Sequence, residues 1–140
     1  MAPASRIATL ARYWLPILAY VALIFTLSSM PNLRPPFGFL NSDKVIHMGE
    51  YLVLGWLLGR GLRTLPRFGS LLAGGLLAIA FGAAVGCADE LYQAHVPGRD
   101  SSALDWTADF LGLTLSQVGY VWLKRPTGSP ERAPRRAAGD

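Results

Sequence analysis

The chain has 140 residues, 51% of them hydrophobic and only 16% charged, with a formal net charge of +4 at pH 7. An ordinary soluble domain devotes about a quarter of its residues to charges, and a disordered chain is far less apolar, so the composition excludes both. A single cysteine, Cys87, and two histidines exclude an intrachain disulfide and a Cys/His zinc motif.

Charge is nearly absent from four stretches, each close to the roughly 20 residues a helix needs to cross about 30 Å of hydrocarbon. The first, 13–29, contains WLPILAYVALIFTLSS and follows Arg6 and Arg12. Basic residues before an apolar run also open a signal peptide. This run is long for one and no small-x-small cleavage pattern follows it, so an uncleaved helix is expected. Pro31, Pro35, Pro36 and Gly38 break the chain after it. The second stretch, 43–61, opens DKVIHMGEY; Asp43, His47 and Glu50 stand at i, i+4 and i+7 and so share one helical face, with Tyr51 beside it. Gly61, Pro66 and Gly69 mark a short loop.

The third stretch, 68–90, is rich in Gly and Ala, which suits close packing between membrane helices. It runs into DELYQ, where Glu90 and Gln93 are three residues apart. Pro97 and Gly98 form a turn within AHVPGRD. The fourth stretch, 103–123, carries Asp105, Asp109 and Gly112, again at i, i+4 and i+7. Trp14, Trp106 and Trp122 lie near stretch ends, as interfacial anchors do. Cys87 sits in an apolar Gly/Ala run and reads as packing. After Leu123 the sequence becomes KRPTGSPERAPRRAAGD, a basic tail expected to be disordered. The expected architecture is therefore all-α: an integral membrane bundle of four transmembrane helices within 1–123, followed by a cytoplasmic tail, 124–140.

Charge orients this scheme. Ten of the thirteen basic residues (Arg6, Arg12, Arg60, Arg63, Arg67, Lys124, Arg125, Arg132, Arg135 and Arg136) fall on one side, and Arg34, Lys44 and Arg99 on the other. Basic residues mark the cytoplasmic side, so both termini are expected there, in a bacterial inner membrane. Nucleic acid is not an expected partner, because no folded basic surface or stacking aromatic accompanies the tail. Seven of the nine acids (Asp43, Glu50, Asp89, Glu90, Asp100, Asp105 and Asp109) fall on the opposite side, a bias that topology does not explain. Short carboxylates a turn or two inside a membrane helix cost about 2.5–3.5 kcal/mol each on insertion scales. They need partners, protons or water, and a shared polar site at the outer face supplies a reason for them.

At these residues the chain resembles the VanZ-like family of small bacterial membrane proteins. The resemblance rests on SSMP (Ser28 to Pro31), DKVIHMGEY, DELYQ, VPGR (Val96 to Arg99) and DWTADFLG (Asp105 to Gly112), in that order over about Trp14 to Leu123. Family members often carry Asn where this chain has Asp109. The resemblance implies an envelope role, the family taking its name from a protein that raises resistance to the glycopeptide antibiotic teicoplanin. By analogy, the polar pocket is also similar to sites that hydrolyse or exchange lipid-phosphate head groups.

On that reading His47, Glu50, Glu90, Asp105 and Asp109 are the catalytic set. His47 would be general base or nucleophile, Glu50 would orient it, and the other acids would protonate a leaving group. Asp43, Lys44, Tyr51, Gln93 and Arg99 would bind substrate, with Arg99 clamping the phosphate through its guanidinium fork. Glu90, Asp105 and Asp109 are oxygen ligands able to hold Mg²⁺ or Ca²⁺, although the spacing requires no metal. The alternative is a non-catalytic protein that binds or shields a lipid or lipid-linked cell-wall precursor. A proton relay ranks third, because the cytoplasmic halves of helices 1, 3 and 4 are apolar. A homodimer is compatible with all three.

Overall fold

A computed structural model describes residues 3–32 and 41–124, and every regular element among them is helical. The expected tail lies outside the described residues apart from Lys124, as do Arg34 and the remaining prolines of the first loop.

The first helical stretch begins earlier than its apolar run. It comprises α1 (Pro3–Thr9), one π-helical turn (Leu10–Trp14) and α2 (Leu15–Ser28). Pro16 explains the middle piece. It has no N–H to donate, and its ring crowds the carbonyl four residues before it. The preceding turn widens, and the Leu15 N–H reaches back five residues to the Leu10 carbonyl.

The second helix, α3 (Ser42–Leu62), follows Asn41, which adopts the left-handed φ of +61° that Asn tolerates. Tight turns at Thr64 and Leu65 and a short 3₁₀ turn, Pro66–Phe68, separate it from α4 (Leu71–Gln93). The start of α4 is fixed by Ser70, whose Oγ accepts from the Ala73 amide at 3.0 Å. This helix is therefore shifted about one turn towards the C-terminus of the expected 68–90, and it takes in the whole of DELYQ. The turn beyond it is closed by the Arg99 N–H on the Val96 carbonyl, with Pro97 second and Gly98 third at φ +75°, the type II arrangement. The last helix is α5 (Ala103–Lys124).

Side-chain contacts give the order of packing. The starts of α3 and α5 lie together and the two helices run parallel, in a nearly constant register: Lys44 meets Asp105, His47 meets Asp109, and the Gln117 amide reaches the Gly55 carbonyl at 2.6 Å. α4 packs antiparallel across both, and α2 lies beside α3 and α4. Glycine makes the α3–α5 seam close. A Cβ on Gly112 would collide with the Met48 carbonyl, and one on Gly55 with the Ser116 hydroxyl. Leu113, fully buried, fills the space that Gly82 leaves on α4.

The bundle thus has two chemically distinct ends. At one, the end of α2 meets the end of α4 through Gln93 and Ser28, and α3 and α5 both begin. At the other, Arg60 lies 5.4 Å from the Tyr13 ring, and Arg63 donates to the carbonyls of Gly59 and Leu71, closing the end of α3 onto the start of α4. Arg6, Arg12, Arg67 and Lys124 belong to this second end. The described acids all belong to the first. Among the described residues, two helical segments of 23 residues each, Arg6–Ser28 and Leu71–Gln93, are long and apolar enough to cross a membrane. The 21 residues of α3 and 22 of α5 have similar length, and each begins with charged residues.

The seam yields a test. Gly112→Val should lower the unfolding free energy by about 1–3 kcal/mol or more, by overpacking against a backbone that cannot retreat. Gly119→Ala, where a Cβ meets nothing within 4 Å, should change it by less than about 1 kcal/mol.

Candidate functional site

The site forms where α3 and α5 begin and α4 ends. His47 lies one turn into α3 and is nearly buried; Asp109 lies one turn into α5 and is fully buried. Their equal depth follows from the parallel register, and it brings His47 Nδ1 to 3.0 Å from Asp109 Oδ1. Glu90 arrives from the last turn of α4, with Oε1 3.9 Å from the same imidazole nitrogen. Its other oxygen, Oε2, accepts from the Ser102 amide at 2.8 Å. One ligand-type atom from each of His47, Glu90 and Asp109 falls within 4.8 Å of the others. Tyr51, fully buried one turn below His47, forms the floor with Gly86 of α4.

A second layer surrounds this centre. Lys44 bridges Asp43 at 2.9 Å and Asp105 at 2.8 Å. Gln93 donates to Asp89 Oδ2 at 2.8 Å and to Ser28 Oγ at 3.1 Å, tying α2 to α4. The Tyr92 hydroxyl and Ser29 Oγ, 3.1 Å apart, join the same two helices. Trp106 donates from its ring nitrogen to the Ala83 carbonyl at 3.0 Å.

The inner atoms are less well served. Tyr51 Oη, Asp89 Oδ1, Glu90 Oε1 and Asp109 Oδ2 are buried without a hydrogen-bond partner. Each such atom costs about 1–3 kcal/mol relative to a satisfied one. Four of them at one end of a small bundle is a considerable unbalanced cost, and three belong to carboxylates. Lys44 is engaged with Asp43 and Asp105, and His47 is the positive group recorded against Asp109 and Glu90.

Of the sequence-predicted residues, His47, Glu90, Asp109 and Tyr51 come together. Asp43, Lys44 and Asp105 form a separate ion-paired group nearer the surface. The carboxylate that orients His47 is Asp109, across the helix seam, and not Glu50. Glu50 is half-buried on α3, within electrostatic range of His47, Asp89, Asp109 and Arg99. Gln93, expected to bind substrate, donates to Asp89 and Ser28. The oxygen set Glu90, Asp105 and Asp109 does not converge, because Lys44 holds Asp105 and His47 takes the third place. Arg99 is half-buried on the type II turn at the same end.

Sequence reasoning missed three contributors. Asp89 is 1% exposed, and its i, i+4 spacing to Gln93 was the available signal. Ser28 entered only through the SSMP motif, which did not point to Gln93. Ser102 acts on Glu90 through its backbone amide, which side-chain identity does not encode. Comparison with protein-family models, curated proteins and solved structures found no match to this chain.

The outer ion pair is open to measurement. A double-mutant cycle of Lys44→Ala and Asp105→Ala, read by chemical unfolding, should give a favourable coupling of about 1 kcal/mol, at the top of the exposed-pair range because Asp105 is nearly buried.

Proposed function

We propose that the chain is a VanZ-like protein of the bacterial cytoplasmic membrane that spans it four times, with both termini inside, and acts on a lipid-linked phosphate head group at the outer leaflet. The observation that carries this reading is the buried His47–Glu90–Asp109 centre, held by three helices at the bundle end opposite the basic end.

Several features support it. Large apolar side chains point away from the bundle on every long helix, including Leu18 at 67% exposed, Leu72 at 72%, Val118 at 62% and Trp122 at 72%. Water would make so continuous an apolar surface unfavourable, and hydrocarbon would not. Six of the eight described Lys and Arg residues gather at one end, the bias expected of a cytoplasmic side. Ionisable groups held inside membrane helices mark functional sites by default. At the acid end, Arg99 supplies the planar fork suited to a phosphate, and Lys44 a second positive charge. His47, Glu90 and Asp109 would be the reacting centre, with Tyr51 and Glu50 shaping its inner and lateral walls. Asp43, Gln93 and Asp105 act by holding these groups in place.

In proteoliposomes containing lipid phosphates and polyprenol phosphates, mass spectrometry should detect head-group release or exchange. His47→Ala and Glu90→Gln should each reduce it by about 100-fold or more, the scale of a lost acid–base group. Saturable lipid binding without product would replace this reading with the non-catalytic shielding one. A reporter active only in the cytoplasm should be active when fused after Lys124; activity only from a periplasmic reporter there would overturn the orientation.

A further inference from the structure

The unsatisfied atoms at the centre of the site share one property: those nearest His47 are acceptors. Glu90 Oε1 and Asp109 Oδ2 both lack a hydrogen-bond partner, in residues that are 7% and 0% exposed. Gly86 of α4 packs closely beside Asp109 Oδ2: a Cβ there would stand 3.0 Å from that oxygen and 3.3 Å from the Tyr51 ring. Two buried carboxylate oxygens without partners, in residues beside an imidazole nitrogen, are unfavourable to an anion and well suited to a cation.

The geometry points to a divalent-cation site formed by His47 Nδ1, Glu90 Oε1 and the Asp109 carboxylate, taking a first-row transition ion such as Zn²⁺ or Mn²⁺. Ligand atoms about 2.1 Å from a common ion stand about 3.0 Å apart at right angles and about 3.9 Å apart at about 135°. The two distances from His47 Nδ1 are 3.0 Å to Asp109 and 3.9 Å to Glu90, each within the span of one ion, and the three ligand atoms all lie within 4.8 Å of one another, so small side-chain adjustments bring them onto a common ion. An imidazole among the ligands selects Zn²⁺, Mn²⁺ and their neighbours over Ca²⁺ and Mg²⁺, which prefer oxygen alone. Binding displaces the proton shared by His47 and Asp109 into solvent and leaves coordination positions open, the arrangement of a catalytic and not a structural site. The surroundings are those of a supported site, since the second Glu90 oxygen is fixed by the Ser102 amide. An ion there would give a phosphate oxygen a positive partner inside an otherwise acidic cluster. The inference deepens the function proposed above by assigning its reacting centre, but binding itself requires no lipid.

The test uses the full chain in detergent, purified without a histidine tag and stripped with a chelator. Titration with Zn²⁺ and with Mn²⁺, followed by calorimetry and by Mn²⁺ spin resonance, should give one saturable site per chain. Glu90→Gln keeps an oxygen for the Ser102 amide and should weaken binding by more than about 100-fold, the loss of an inner ligand exceeding that of an outer one. Asp109→Asn should do the same, while His95→Ala, on the exposed loop, should leave it unchanged. Gly86→Ala would press a methyl group against Asp109 Oδ2 without altering any charge and should weaken binding by about tenfold, the lower end of outer-shell effects. Circular dichroism and gel filtration identify variants that fail to fold, and the comparison is drawn from those that do. No saturable site up to about 1 mM ion, preference for Mg²⁺ or Ca²⁺, or affinity unchanged in folded Glu90→Gln and Asp109→Asn would each overturn the site. Because these readouts contain no lipid, ion binding without turnover refutes the lipid chemistry alone, and turnover in the stripped protein refutes a catalytic role for the ion.

Discussion

The close parallel seam between α3 and α5 is the constraint on which the rest of the molecule depends. Two helices that run parallel and are separated in sequence by a third must find their register without a tight hairpin to set it. Here the register is set by steric fit at Gly55 and Gly112 and by polar links spaced along the seam, from Lys44–Asp105 at one end to the Gln117 amide on Gly55 further in. Because residues at equal depth face each other, His47 and Asp109 meet. A slip of one residue would rotate the facing groups by about 100° and separate them.

The polar groups along the bundle serve two purposes. At the basic end they complete structure: Arg63 satisfies the carbonyls of Gly59 and Leu71 and the Gln117 side chain, and stacks 4.2 Å from the Tyr120 ring. At the acid end they leave buried oxygens unanswered. Arg63 Nε is also left without a partner, so the two ends differ in kind: at the acid end the unanswered atoms near His47 are carboxylate oxygens, which a bound cation would answer.

Much of this was legible in the sequence. The helical face of Asp43, His47 and Glu50, the matching face of Asp105 and Asp109, and the placing of Glu90 at an opposite helix end follow from periodicity and an up-and-down chain path. The sorting of charge to two ends follows from the same path. Partner choice was not legible. Glu50 shares a helical side with His47, but a contact across a glycine-lined seam is shorter than one along a helix, and Asp109 takes it. The π-helical turn before Pro16 was also hidden, because the sequence marks where a helix is disturbed without saying whether it kinks or widens. Backbone donors such as the Ser102 amide leave no residue-specific trace at all.

Ser102 has one further consequence. Its amide holds Glu90, while its hydroxyl accepts from the Leu104 amide at 3.1 Å and its carbonyl from the amides of Asp105 and Trp106, which makes it the residue on which α5 begins. Release of Glu90 and fraying of the first turn of α5 are therefore one cooperative opening rather than two. The carboxylate cannot wander while that turn is formed, and Asp109, a turn further along, loses its anchorage when it is not. The order of the site and the order of the helix end are set by a single local equilibrium.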